Sequence, residues 1–241
     1  MDEDWRRRIS IHDISPREYM YFPKGILEQS KAGEFSLIEI IHILLAIGAL
    51  GISFSFALTK NSILWSLMGY DIDFNRLLDG IPYALLGVLT AFIGHELSHK
   101  LTAQHYGLWS EFRMYTLGLL FSMFFAITTG FVFAAPGAVM FRGEPRIFEE
   151  GHIAAAGPTM NIIIGGLTLP FILFSKGLFS KHIGFICIIN IILAVFDLLP
   201  LQAFDGMKII TWNTKVWLIL FIASLILLIL ILPYITLVST F

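Results

Sequence analysis

Long apolar runs separated by short polar breaks dominate the chain. Runs near 37–58, 81–103, 116–135, 152–174, 182–200 and 215–239 are each long enough to cross about 30 Å of hydrocarbon at about 1.5 Å of helical rise per residue. The pattern predicts an all-α polytopic membrane protein of about five to six transmembrane helices. One stretch is unlike the others. Residues 114–141 carry Gly118, Gly130, Pro136 and Gly137 and are rich in Phe and Thr. They are expected to form a re-entrant or partly β element between the helix near 81–103 and the one starting near 152. Such backbone is tolerated at membrane depth only when buried in protein or lining a wet cavity.

Composition agrees. Of 241 residues, 56% are hydrophobic and 14% charged, with a mean hydropathy of +0.78, beyond what a soluble core of this size needs. The net charge of -2 argues against nucleic acid as a partner, and Arg6, Arg7 and Arg8 are answered by Asp2, Glu3 and Asp4. The single cysteine, Cys187, excludes an intramolecular disulfide and reads as a small buried hydrophobe. The first 35 residues are polar and precede a run too long for a signal-peptide core, so the first span is expected to act as the targeting signal. Residues 1–35 then form a cytosolic N-terminal segment and 36–241 a single transmembrane domain. The basic residues of the tail, against none from Val216 to Phe241, place the N-terminus in the cytosol.

Ionisable residues inside apolar runs are costly and therefore informative. Glu39 and His42, three apart in the first run, read as a local pair near the headgroups. His95 and His99 are different: at i and i+4 on one helix face, about 5–6 Å apart, they can share one ion. Glu96, rotated by about 100°, cannot easily be a ligand of that ion but can reach a water on it. This is the H-E-x-x-H arrangement of metallopeptidases. Zinc brings the pKa of bound water to about 7, and the glutamate can take its proton as a carbonyl is attacked. The bland alternative is a helix-end ion pair, with His99 and Lys100 reaching the interface. A tetrahedral site needs a third ligand, and Asp205 is the best-placed later carboxylate. Pro200 and Gly206 would let a broken helix aim it inward, although a simple surface turn at Asp205-Gly206 is the competing reading.

Three motifs in order carry a family resemblance: His95-Glu96-Leu97-Ser98-His99, Ala156-Gly157-Pro158-Thr159-Met160-Asn161, and Pro200 to Asp205-Gly206. Together they resemble the site-2 proteases, intramembrane zinc metalloproteases, in a minimal prokaryotic or archaeal-type form without a PDZ domain, across a core of roughly 81–206. The resemblance implies one Zn2+ per chain held by His95, His99 and Asp205, with Glu96 as general base and Asn161 near the substrate or oxyanion. It departs at Asp197, where the family usually has asparagine. That residue could be a protonated hydrogen-bond donor, an outer partner of a ligating histidine, or an extra ligand. Read from the residues alone, Asn161 could equally be interhelical glue.

Metal sharing constrains topology. If every run crossed, Asp205 would lie on the opposite side from His99, so one run must enter and leave on the same side. With 114–141 re-entrant, the cytosolic side gathers twelve of the sixteen basic residues, against ten if it crosses. The active site is then expected on the cytosolic side of a multi-pass protein of the cell membrane. Phe131 to Val139 would offer a strand edge to an unwound transmembrane substrate by β-augmentation, unless its glycines and prolines only shape a loop. His105 and His182 read as interfacial hydrogen-bonders, and His152 as too distant from Asn161 for both to contact one zinc. The function expected is a zinc metalloendopeptidase cutting transmembrane segments of membrane proteins. A metal transporter using the same buried ligands is the alternative, whereas a di-iron oxygenase would need more histidine clusters than the one found.

Overall fold

The computed structural model describes residues 35–132, 136–174 and 178–234. Ser36 opens the first helix by accepting the Glu39 N–H at 3.1 Å. Helix α1 (Leu37–Thr59) then runs to Lys60, whose φ of 55° ends it. A short α2 (Ile63–Leu67) leads to α3 (Phe74–Val88), capped by Asp73. The helix therefore begins seven residues before the run expected from 81, because a polar first turn with Asn75, Arg76 and Asp79 hides its start. It continues through a π-helical turn (Leu89–Ile93) into α4 (Gly94–His105). Such a widened turn is common beside functional sites, and here it directly precedes His95.

The stretch that departed from the apolar pattern contains both strand and helix. Strand β1 (Trp109–Met114) pairs antiparallel with β2 (Gly137–Arg142), with Phe112 opposite Val139 and Met114 opposite Gly137. Between them α5 (Thr116–Thr129) ends at Gly130, φ 77°. The excursion begins at the Ser36 end of α1, where the Met114 N–H donates to His42 Nδ1 at 3.4 Å. It reaches the far end, where a side chain on Gly130 would lie 2.9 Å from the Trp65 ring, and then returns to β2. Of the proposed edge Phe131–Val139, Gly137 to Val139 lie in β2, and residues 133–135 lie outside the described residues. The chain is thus mostly helical, with a small two-stranded sheet in the stretch where a re-entrant or partly β element was expected.

After β2 come α6 (Ile147–Phe174), α7 (Leu178–Asp197), α8 (Asp205–Trp212) and α9 (Thr214–Ile231). Among the described residues, four helical stretches are long and apolar enough to cross a membrane: Leu37–Leu67, Phe74–His105, Ile147–Phe174 and Thr214–Tyr234. Two further apolar helices, Thr116–Thr129 and Ile183–Asp197, are shorter.

Burial runs opposite to that of a water-soluble protein. Leu37, Phe174 and Ile219 face outward, while Glu39, Lys100, Asn161 and Asn190 are wholly buried. An apolar exterior this continuous suits lipid. The expected local pair of Glu39 with His42 is not what forms. Glu39 instead receives Lys100 Nζ at 2.7 and 2.8 Å, a partner 61 residues away. Lys100 accordingly does not reach an interface. Cys187 is fully buried as expected, its Sγ donating to the Gly165 carbonyl at 3.3 Å where α6 and α7 meet.

Candidate metal centre

The cluster is assembled from two helices. Helix α4 presents His95 and His99 on one face, and α8 presents Asp205 from its first turn. The sharp approach of α8 to the end of α7 depends on Gly206, where a side chain would lie 2.6 Å from the Leu199 carbonyl oxygen and closer still to that of Leu198. His99 Nε2 lies 2.8 Å from His95 Nε2 and 2.9 Å from Asp205 Oδ2, and His95 Nε2 lies 3.7 Å from the same oxygen. One ligand atom from each of the three falls within 4.8 Å of the other two.

Hydrogen bonding fixes the protons. Asn161 donates both amide hydrogens, to Ala91 O and Asn190 Oδ1, each at 3.0 Å. Its Oδ1 is therefore an acceptor, and His95 Nδ1 donates to it at 2.6 Å. His99 Nδ1 donates to the Ile153 carbonyl, also at 2.6 Å. As neutral imidazoles, both rings then turn their Nε2 lone pairs toward each other and toward the Asp205 carboxylate. Donor atoms converging in a buried space call for a positive charge among them, and His2Asp is an ordinary donor set for zinc. The residues fit a zinc ion, and His95, His99 and Asp205 are the groups that would hold it.

The neighbours are equally ordered. Lys208 Nζ donates to Asp205 Oδ1 at 2.8 Å, leaving Oδ2 for the cluster. The Asp205 carboxylate raises the Lys208 ammonium above its ordinary value. Asp197 Oδ2 lies 3.6 Å from His95 on the Nδ1 side, not the Nε2 side. Of the three roles left open for it, this position suits an outer partner. Glu96 accepts the Val139 N–H at 3.0 Å through Oε2, which puts its carboxylate between the ligand helix and strand β2. The cluster opens on an apolar cavity of about 830 Å³ that also reaches Lys60 and Trp65 at the far end of α1.

Asn161, expected near the substrate or oxyanion, lies directly behind His95. It is fully buried, with its amide hydrogens donated to Ala91 and Asn190 and its oxygen holding His95. Sequence reasoning missed Asn190 behind it, although a lone asparagine in an apolar run was the available signal. His105 lies against Tyr106, and His152 Nδ1 shares a hydrogen bond with the Tyr106 hydroxyl, both outside the cluster. The side chain of His182 lies outside the described residues. Asn161→Leu should keep the fold but weaken zinc binding about 10–100-fold by freeing the His95 ring, as read by competition with a chromogenic chelator.

Helices able to cross a membrane, with a buried His2Asp cluster and an adjacent glutamate, define a membrane metalloenzyme site. Over 192 residues the chain is 35% identical to a protein of Methanocaldococcus jannaschii named "Putative zinc metalloprotease MJ0611", across 76% of this chain and 88% of the relative. The chain belongs to that zinc metalloprotease family. No family model and no solved structure matches it.

Proposed function

We propose that the protein is an intramembrane zinc metalloendopeptidase of the site-2 protease type, hydrolysing peptide bonds within or near transmembrane segments of membrane proteins. The observation that carries this reading is the His95–His99–Asp205 cluster, with Glu96 and both histidines on a helical stretch long enough to cross a membrane, opening on an apolar cavity bordered by a strand edge. Bound zinc would polarise the scissile carbonyl and bring the pKa of water to about 7. Glu96 accepts the proton of the attacking water and delivers it to the leaving nitrogen.

A transmembrane helix hides its peptide bonds in internal hydrogen bonds and must unwind before attack. Phe112 and Met114 turn their N–H groups toward α1, so their partners Val139 and Gly137 face the opposite way, to the cavity. An unwound substrate docks as an added strand along this edge, using the backbone groups other than the Val139 N–H that Glu96 takes. Residues 114–141 act as a re-entrant element, with the N-terminus and the site toward the cytosol of a cell membrane.

Incubating the purified protein with single-span proteins, with and without chelator, tests the reading. Zinc-dependent cleavage within or beside the span is expected. Zinc uptake by proteoliposomes without any cleavage would favour a transporter instead. A cysteine-crosslinking scan should trap substrate along 137–141, and no adducts there would remove the docking step.

A further inference from the structure

We infer that Glu39 and Lys100 are positioning residues for Glu96, acting through the two-stranded sheet. The inference rests on the reading of Glu96 as general base. Lys100 follows Glu96 by four residues, on the same face of α4. Its ammonium donates to both carboxylate oxygens of Glu39, at 2.8 and 2.7 Å, and to the Ser110 carbonyl at 3.0 Å. Glu39 Oε1 also accepts the Phe112 N–H at 2.8 Å. Phe112 stands directly opposite Val139, and the Val139 N–H on the far edge donates to Glu96 Oε2.

The path from Glu96 through Lys100, Glu39, Phe112 and Val139 therefore closes on Glu96 itself. Glu96, Leu97, Lys100, Phe112 and Val139, with Ile43, line one small gap in the packing, so the path encloses a single packed unit. Glu39 and Lys100 are completely buried, and Lys100 Nζ lies 4.3 Å from the centroid of the Phe35 ring. A buried pair rarely improves stability over apolar residues of similar volume. What this pair supplies is register. It fixes how far Phe112, and with it the Val139 N–H, stands from the helix that carries Glu96. A misplacement of about 1 Å at a catalytic group can cost about 10²-fold in rate.

Removing one partner would leave a buried charge alone, so the test removes both. Glu39→Gln/Lys100→Met and Glu39→Leu/Lys100→Met should bind stoichiometric zinc, because the three ligands lie outside the path. Their kcat should fall about 10–100-fold with KM changed less than about twofold, more in the leucine variant, where Phe112 also loses its acceptor. Hydrogen exchange of the 137–142 segment in the substrate-free protein should be about tenfold faster.

Zinc-loaded double variants with unchanged kcat, or unchanged exchange at 137–142, would overturn the inference. So would a kcat loss matched by Ile172→Ala, a remote core truncation of comparable lost stability. If the double variants do not fold, the same exchange measurement on Glu39→Asp decides. That variant keeps the charge but shortens the reach to Phe112, and unchanged exchange there overturns the path. A wild-type protein that cleaves nothing refutes the protease reading, while exchange at 137–142 still decides the path.

Discussion

Glu96→Gln is expected to lower kcat by about 10²–10⁴-fold while zinc content, fold and substrate affinity stay as in the wild type. Glutamine has nearly the same shape, and its side-chain oxygen can still accept the Val139 N–H, so strand β2 stays against α4. The three ligands are untouched, because Glu96 is not among the converging atoms. The variant loses only a basic oxygen able to take a proton from water and return it to the leaving nitrogen. The check pairs metal analysis with cleavage of a single-span substrate by wild type and variant at matched zinc occupancy. Undiminished cleavage would remove Glu96 as base. Lost zinc would mean that the carboxylate serves the metal directly, and the geometry around Val139 would need another account.

The legibility of this site in the sequence follows from how far apart its parts lie along the chain. His95, Glu96 and His99 sit within one turn and a half of helix, so their spacing alone places them. Asp205 was legible less directly: Pro200 and Gly206 signal the helix break that α7 and α8 display, but the motif resemblance was needed to prefer a ligand over a surface turn. Long-range polar partners were not legible. Glu39 read as a neighbour of His42 because a local periodicity pairs only residues three or four apart. Its real partners, Lys100 and the Phe112 amide, come from elements whose packing no local pattern encodes.

Asn161 shows the same limit in another form. Sequence reasoning placed it at the site, but its orientation, and hence whether it meets substrate or holds His95, depends on Ala91 and Asn190. The two-stranded sheet was half legible. Glycines and a proline marked residues 114–141 as irregular, yet β1 lies largely before them, and its buried Glu111 and Arg113 look like exposed polar positions.

Gly157→Ala is expected to abolish stoichiometric zinc binding and, with it, chelator-sensitive cleavage. Helix α6 packs against α4 so closely at this residue that an added Cβ would stand 2.5 Å from His95 Nε2 and nearer still to His99 Nε2. The methyl would fall among the lone pairs that define the site. Neither ring can turn aside cheaply. His95 would give up Asn161, and His99 the Ile153 carbonyl, each leaving a buried polar group unsatisfied. Helix α6 cannot back away freely either, since Gly151, six residues earlier, lies so tightly on Trp212 that an added Cβ would overlap it.

Gly166→Ala on the same helix is the matched control, because there only Leu227 Cδ1 comes within 4.0 Å of an added Cβ. It should bind zinc and cleave as the wild type does, with alanine favouring the helix by up to about 1 kcal/mol. Zinc titration and thermal unfolding of both variants in detergent separate the outcomes. An alanine at 157 that bound zinc with wild-type affinity would show that the metal does not lie where His95, His99 and α6 meet. Loss of zinc with an intact unfolding transition would tie the metal to that point, and so explain why this helix carries no side chain where it crosses the histidines.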